Sequence, residues 1–347
     1  MASGPPVGSG AAAAKRALSI AVVQGGPSTE AEVSRASAAN VAGALLSLGH
    51  RVVRLELDAF IAESLRTGGY DVVFPVAHGA VGEDGSLQGV LEVLELPYVG
   101  SDVLASALAM HKRVARVLFR EAGLPVASGI AVGRGEGADA SAAAERAHRE
   151  VGARLVVKPS AQGSAIGVAR LRLDEDLPMA DLARAIEAAW SVDEFAVVEH
   201  FALGREVTCA VLATGPPRAL PLVEILSPYD AFYSYEARYA PGRSVHVCPP
   251  AFAQALTEKV QRIAVEAHCA LGCRDLSRVD FIVGDEGDPE AITLLEVNTM
   301  PGMTATSLYP EAAAAAGVPM PALCDALAHT AFARGSAARV APRPLPR

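Results

Sequence analysis

Along the chain, stretches of continuous apolar residues alternate with stretches in which apolar positions recur at helical spacing. Leu18–Val23 is a short apolar run that reads as a strand and ends at Gly25-Gly26. Glu32–Leu48 then reads as a helix, with Ser28 or Thr29 near its N-cap. Val52–Leu57 and Val72–Val76 read as two further strands. This strand–helix–strand series predicts a parallel sheet with helices on its faces. Leu104–Ala122 is one long helical pattern, stopped by Gly123-Leu124-Pro125. Strands at Ile130–Val132, Leu155–Val157 and Val168–Leu173 follow, with helices at Ala140–Val151 and Ala180–Trp190, and together they predict a small α+β unit. Strand runs resume at Thr208–Leu212 and Leu220–Ile225, a helix covers Thr257–Leu271, and two apolar strands lie at Val279–Val283 and Ile292–Val297.

The pattern divides the chain into an N-terminal parallel α/β domain over 18–103 and α+β domains over 104–206 and 207–332. Residues 1–17 and 333–347, rich in Gly, Ala and Pro, are expected to be a disordered leader and tail. A length of 347 residues calls for more than one core, and 51% apolar with 20% charged residues is globular composition. The net charge of −9 argues against a nucleic-acid partner, because such a partner selects a basic face. An anionic nucleotide would then need a few placed cations. No apolar run approaches the ~18–20 residues of a membrane span. Lys15 and Arg16 follow Ala11–Ala14 instead of preceding an apolar core, so a secretion signal is not expected. Five cysteines give no disulfide framework, and Cys269 and Cys273 are expected to pack in the core. A cytoplasmic location fits this usage.

The strongest local chemistry is Glu296-Val297-Asn298, preceded by Arg278-Val279-Asp280. Residues two apart on a strand face one side, so Glu296 and Asn298 project together, and Asp280 lies on the neighbouring run. Three oxygen donors without Cys or His suit Mg²⁺, although the pair alone would also fit the solvated end of an edge strand. Lys158-Pro159-Ser160-Ala161-Gln162-Gly163-Ser164 places a lysine at a strand end before a loop of small residues, which lets backbone N–H groups approach an oxyanion. It is not a Walker A loop, because the lysine precedes the glycines. A surface hairpin would look similar. Lys112 is a second candidate cation for phosphate. Glu199 closes the run Phe195–Val198 and Glu206 precedes Val207. Either could accept hydrogen bonds from a nucleoside or simply end a strand in water. A tyrosine-rich loop around 229–239 reads as a lid or a packed Ω-loop.

In order along 18–330, these elements resemble the D-alanine–D-alanine ligase family. The resemblance runs through Gly25-Gly26 with Glu32-Val33-Ser34; His78-Gly79 with Gly82-Glu83-Asp84-Gly85-Ser86-Leu87-Gln88-Gly89; and Leu96-Pro97-Tyr98-Val99-Gly100-Ser101. It continues through Lys158-Pro159, Gly163-Ser164, Tyr235-Glu236-Ala237-Arg238-Tyr239 and Arg278-Val279-Asp280. It closes with Glu296-Val297-Asn298-Thr299-Met300-Pro301-Gly302-Met303-Thr304 and Ser307-Leu308. The resemblance implies an ATP-grasp fold that joins two D-alanines through an acyl phosphate for peptidoglycan synthesis. On that pattern Lys112, Lys158 and Arg238 would hold phosphates, and Glu199 and Glu206 would face the nucleoside. Asp280, Glu296 and Asn298 would hold two Mg²⁺, with Mn²⁺ as a substitute. Glu32 would pair with the ammonium of the first D-alanine, His78 would lie near it, and Ser164 and Tyr239 would bond with Glu32. Arg278 and the N–H of Gly302 would face the oxyanion, and Ser307 with the N–H of Leu308 would bind the second carboxylate. The family also implies a homodimer.

Arg238 stands where lysine is common in that family, His111 where aspartate is common, and Ala161-Gln162 where bulkier or charged residues sit. Arg keeps the charge but changes reach and geometry. These departures motivate an alternative: an ATP-grasp ligase with another D-amino or D-hydroxy acid as acceptor, in resistance or specialised biosynthesis. Tyr239 favours an amine nucleophile.

Overall fold

The structure, a computed structural model, describes residues 16–135, 139–163, 166–172, 179–226, 244–284, 288 and 291–336. Three strands, β1 (Ser19–Gln24), β2 (Arg51–Glu56) and β3 (Val72–Pro75), form a parallel sheet in the order β2-β1-β3, with Ile20 opposite both Val52 and Val72. Helix α1 (Ala31–Leu46) crosses from β1 to β2 and buries Ser34, Ala38, Val41 and Leu45 against the sheet. Helices α2 (Ile61–Thr67) and α3 (Ser86–Val93) complete the unit expected from the strand–helix–strand pattern. α1 begins one residue before expectation, and its N-cap is Glu30 rather than Ser28 or Thr29. The Ser28 hydroxyl accepts from the Glu30 N–H instead.

The single helix expected over 104–122 is two. α4 (Val103–Met110) is capped by Asp102, which accepts from Ala105 N–H at 3.0 Å, and α5 (Lys112–Glu121) follows after an extended residue, His111. The break lets Lys112 N–H bond to Ser160 O at 2.8 Å, so the turn serves the central unit instead of the helix ladder. Hydrophobic spacing continues through the break, which is why the sequence does not show it.

A four-stranded antiparallel sheet follows in the order β4-β7-β5-β6: β4 (Gly129–Gly133), β5 (Arg154–Pro159), β6 (Ala169–Arg172) and β7 (Phe195–His200). Helices α6 (Ala140–Val151) and α7 (Met179–Trp190) cover one face. Their contact surfaces are alanine-rich (Ala143, Ala144, Ala147, Ala185, Ala189), and Trp190 Nε1 donates to Val132 O at 3.0 Å. This core is separate from the rest. By contrast, Ala109, Ala115 and Phe119 of α4 and α5 pack on the C-terminal sheet, so the segment 104–122 belongs with the third core, not the second.

The last sheet has the order β10-β9-β8-β11-β12, built from β8 (Arg205–Ala213), β9 (Arg218–Leu226), β10 (Val245–Val247), β11 (Asp275–Val283) and β12 (Ile292–Asn298). Helix α8 (Gln254–Ala270) covers one face, and α9 (Leu308–Ala315) packs on the other. Helix α10 (Met320–Arg334) returns to the first sheet, and Leu323, Leu327 and Ala331 share one core with Ile20, Val41 and Phe74. The N-terminal and C-terminal units are thus fused.

The termini depart from expectation. Arg16 pairs with Asp71 at 2.9 Å, and Arg334 pairs with Asp275, so residues 16–17 and 333–334 are tied to the fold. Residues 1–15 and 337–347 lie outside the described residues. All five cysteines are free; Cys273 is buried, but Cys269 is exposed on α8, against the expectation that both pack inside. Among the described residues no helix is long and apolar enough to cross a membrane.

Candidate active site

The strand pair β11–β12 sets Arg278 opposite Asn298 and Asp280 opposite Glu296, so four polar side chains converge at one end of an otherwise apolar ladder. Arg278 donates to both Asp280 oxygens, Nε to Oδ1 and Nη2 to Oδ2, each at 2.8 Å, and the Thr208 hydroxyl adds a third bond at 2.8 Å. A bidentate pair of this kind fixes both partners. Asn298 Oδ1 accepts from Met300 N–H at 2.9 Å and turns the chain after β12. Lys112 Nζ lies 3.1 Å from Glu296 Oε2 and donates to Gln162 O at 2.7 Å. Two carboxylates and an amide oxygen on paired strands, with a cation already drawn to Glu296, form a donor set that fits Mg²⁺.

A cleft of about 810 Å³ separates the central sheet from the C-terminal sheet. Val156, Ile166 and Val168 wall one side and Ile282 and Leu295 the other, while Lys158, Glu199, Phe201, Glu206 and Glu296 supply its polar and aromatic edge. Arg170 stacks over the Phe201 ring at 4.8 Å. Apolar walls with a few convergent polar groups are what a flat heterocycle with a charged tail requires. Lys158 Nζ lies 2.7 Å from Glu199 Oε2, and Arg116 makes direct ion contact with Glu199 Oε1. Burial lowers the Lys158 ammonium to about 8 and the Arg116 guanidinium to about 10.

A second cavity, of about 1340 Å³, adjoins the first and shares Glu296 with it. Its lining includes Glu30, His78, Glu83, Arg278, Asn298, Gly302 and Ser307. The expectation for Glu32 is corrected here. The Glu32 side chain is 86% exposed at the rim and pairs with Arg35, whereas Glu30, 8% exposed, reaches inward. The physical reason is helical period. The inward face of α1 carries Ser34, Ser37 and Val41, and Glu30 precedes them by four, seven and eleven residues, while Glu32 falls on the outer side. That spacing was readable in the sequence. A side chain on Gly163 would come within 3.3 Å of the Glu30 carboxylate, so the glycine leaves room beside it.

His78 and Glu83 come from the loop between β3 and α3, which Gly79 (φ +75°) and Gly85 (φ +99°) turn through left-handed backbone. His78 Nδ1 contacts Met300 O at 3.1 Å, which makes that nitrogen the donor and leaves Nε2 as an acceptor. Nε2 is buried without a hydrogen-bond partner among the described residues, and burial lowers the imidazole pKa. Glu83 Oε1 accepts from Gly79 N–H at 2.9 Å; Oε2 is also buried and unpaired. Burial first, then the charge of Glu30, raises the Glu83 carboxyl to about 8. The sequence placed Glu83 in a motif without giving it a role.

At the far wall Gly302 lies against Ser307, where a side chain would come within 2.9 Å of the serine Oγ. Ser307 is the N-cap residue of α9, its hydroxyl accepts from Thr304 N–H at 3.0 Å, and Leu308 opens the helix. The first N–H groups of a helix favour a carboxylate. Ser164, Arg238 and Tyr239 lie outside the described residues. Of the remaining expected residues, the structure gathers all but Asp280 around the two cavities, Glu32 only at the rim; Asp280 sits behind Arg278 in the wall.

A family profile described as D-ala D-ala ligase C-terminus matches residues 118–329, and one described as D-ala D-ala ligase N-terminus matches 59–101. The chain is 44% identical to a D-alanine–D-alanine ligase of Desulforamulus reducens over 314 residues, covering 90% of this chain and 97% of that one. It is 45% identical to the ligase of that name from Xanthobacter autotrophicus over 300 residues, covering 86% and 93%. Among solved structures, it is similar to the D-alanine–D-alanine ligase of Bacillus anthracis complexed with ATP. That TM-score is 0.76 at 28% identity, covering 92% of this chain and 98% of that one. The Coxiella burnetii ligase gives a TM-score of 0.75 at 28% identity, covering 91% and 96%.

Proposed function

The chain belongs to the D-alanine–D-alanine ligase family, and from that premise we propose that it joins two D-alanines into D-alanyl-D-alanine for peptidoglycan synthesis, converting ATP to ADP and phosphate. The observation that carries the reading is the shared wall. Glu296 lines both the apolar cleft suited to a nucleotide and the charged cavity suited to amino acids, so two ligands would meet there.

ATP supplies a phosphoryl group to the carboxylate of the first D-alanine, giving an acyl phosphate and ADP; the neutral amine of the second D-alanine then attacks the acyl carbon, and phosphate leaves with the C–O electron pair and the proton the amine gives up. Glu30 takes the role expected of Glu32 and pairs with the ammonium of the first D-alanine. The His78 Nε2 lone pair accepts from the same substrate. Arg278, held flat by Asp280, and the N–H of Gly302 stabilise the oxyanion, a contribution of a few kcal/mol per donor. Ser307 and the N–H of Leu308 hold the second carboxylate. Lys112 and Lys158 leave Glu296 and Glu199 to meet phosphate oxygens, and Glu206 faces the ribose. Asp280, Glu296 and Asn298 would hold two Mg²⁺, or Mn²⁺, which neutralise charge on the transferring phosphoryl group. On the family pattern Ser164 and Tyr239, expected to bond with Glu32, would bond with Glu30 instead, and Arg238 would hold phosphate. We place the reaction in the cytoplasm and expect a homodimer, both as the family implies.

Purified protein with ATP, Mg²⁺ and D-alanine should release phosphate and yield D-alanyl-D-alanine by mass. Parallel samples with L-alanine, D-serine and D-lactate should release far less. Phosphate release only with one of those would move the acceptor, and no D-alanine-dependent release at all would sink the reading.

A further inference from the structure

Glu199 ends β7 inside the nucleotide cleft, and both of its oxygens are engaged by cations. Oε2 meets Lys158 Nζ at 2.7 Å and Oε1 is in contact with Arg116. The two cations differ in freedom. Lys158 lines the cleft, within reach of a bound phosphate; Arg116 does not line it. Arg116 comes from α5 behind the sheet, is 5% exposed, and is tied by Nη2 to Ala127 O at 2.9 Å. Gly129, paired with Glu199 across β4 and β7, allows close approach of both β7 and the guanidinium, since a Cβ there would lie 2.5 Å from Val198 O and 3.0 Å from Arg116 Nη2. Were Lys158 to turn to a bound phosphate, one Glu199 oxygen would be freed into the cleft while the other stayed with Arg116.

We propose that Arg116 is a positioning residue that fixes Glu199 as the acceptor for the exocyclic amine of adenine, and so sets the preference for a 6-amino over a 6-oxo purine nucleotide. The inference rests on the ATP reading above. An anchored carboxylate oxygen accepts from the amine of adenine. The 6-oxo group of hypoxanthine would set acceptor against acceptor, and a buried polar group left unpaired is what gives discrimination. Without the anchor, Glu199 can follow Lys158 or rotate, and the acceptor is no longer presented at a fixed place.

Calorimetric titration of the whole protein with ADP and with IDP, without D-alanine, reads this directly. The parent should bind ADP about tenfold or more tightly than IDP, roughly the worth of one such hydrogen bond. Arg116→Gln should reduce that ratio to within about threefold, chiefly by weakening ADP, and Arg116→Lys, which restores the charge, should recover part of it. KM for D-alanine should stay within about twofold in both variants. Retention of the parent ADP/IDP ratio in Arg116→Gln overturns the proposal, as does equal loss of ADP, IDP and D-alanine, which would make Arg116 structural. If Arg116→Gln does not fold, Arg116→Met, which keeps the apolar stem and removes the charge, takes its place: a parent-like ADP/IDP ratio overturns the role, and a reduced ratio supports it. Equal parent affinity for ADP and IDP sinks this inference and leaves the ligase reading standing; no binding of ADP at all sinks the ATP reading itself.

Discussion

Glu30 and Glu32 are chemically identical and two positions apart, and their environments separate them. Glu30 reaches the amino-acid cavity, whereas Glu32 is at the rim on Arg35. Glu30→Gln keeps the shape and removes the charge that answers an ammonium, so kcat/KM for D-alanine should fall about a hundredfold or more, about 2.7 kcal/mol of transition-state stabilisation. Glu32→Ala should stay within about threefold on the same scale, and steady-state kinetics on both variants decides which carboxylate is used. Glu83 gives a test in stability. Its folded-state pKa is raised to about 8, so between the ordinary carboxylate range and pH 8 the folded chain holds a proton that the unfolded chain releases. Stability is therefore fully present at low pH and is lost as pH rises, by up to roughly 1.4 kcal/mol per unit, levelling above 8. Urea unfolding between pH 5 and 9 should show a shallower decline for Glu83→Gln than for the parent; parallel curves would mean that Glu83 is charged when folded. The candidates legible in the sequence, Lys158, Asp280, Glu296 and Asn298, sit on strands, where a period of two fixes which way a side chain points. Those missed or shifted lie on a helix entry (Glu30), a glycine-turned loop (Glu83) and a helix behind the sheet (Arg116), where direction depends on tertiary packing.

Strands announced themselves by continuous apolar runs because both faces of β8 and β11 are covered, and their bounds came out within a few residues. The break between α4 and α5 did not, because it is made by a bond to another element: Lys112 N–H to Ser160 O at 2.8 Å. Nor could sequence show that α5 docks on the C-terminal sheet while its first residue faces the central unit. Phe119 is the anchor of that docking, fully buried beside Leu124, Val279 and Phe281. Phe119→Ala should cost about 3–5 kcal/mol by leaving a cavity there. Because α5 also carries Lys112 and Arg116, ADP affinity should weaken with it. Thermal unfolding and ADP titration on the same variant test the link. Lost stability with unchanged ADP affinity would show that Lys112 and Arg116 are set by their contacts with the central unit alone.

At the scale of the whole molecule, the chain closes on itself through polar contacts along α10, from its middle to its C-terminal end. His50 and His329 both contact Asp325, at 3.1 and 2.8 Å, and His329 Nε2 meets Arg16 O at 3.1 Å. At the other end Arg334 holds Asp275 and also donates to Tyr98 O at 2.7 Å, while Asp275 Oδ2 accepts from Gly100 N–H at 2.7 Å. One carboxylate, 1% exposed on its side chain, thus joins the N-terminal unit, β11 and the last helix. A buried ion pair contributes little by its presence, but removal of one partner leaves an uncompensated charge. Arg334→Ala should therefore cost about 3–5 kcal/mol in urea unfolding, more than the half-exposed position of Arg334 alone would suggest. If the stranded charge is the cause, adding Asp275→Asn to Arg334→Ala should recover at least about 1 kcal/mol, because the neutral amide can still accept from Gly100 N–H. A double variant less stable than Arg334→Ala would instead place the loss in the contacts of the carboxylate itself. The fused core of the first and third units would then be held at this point by hydrogen-bond geometry rather than by charge balance.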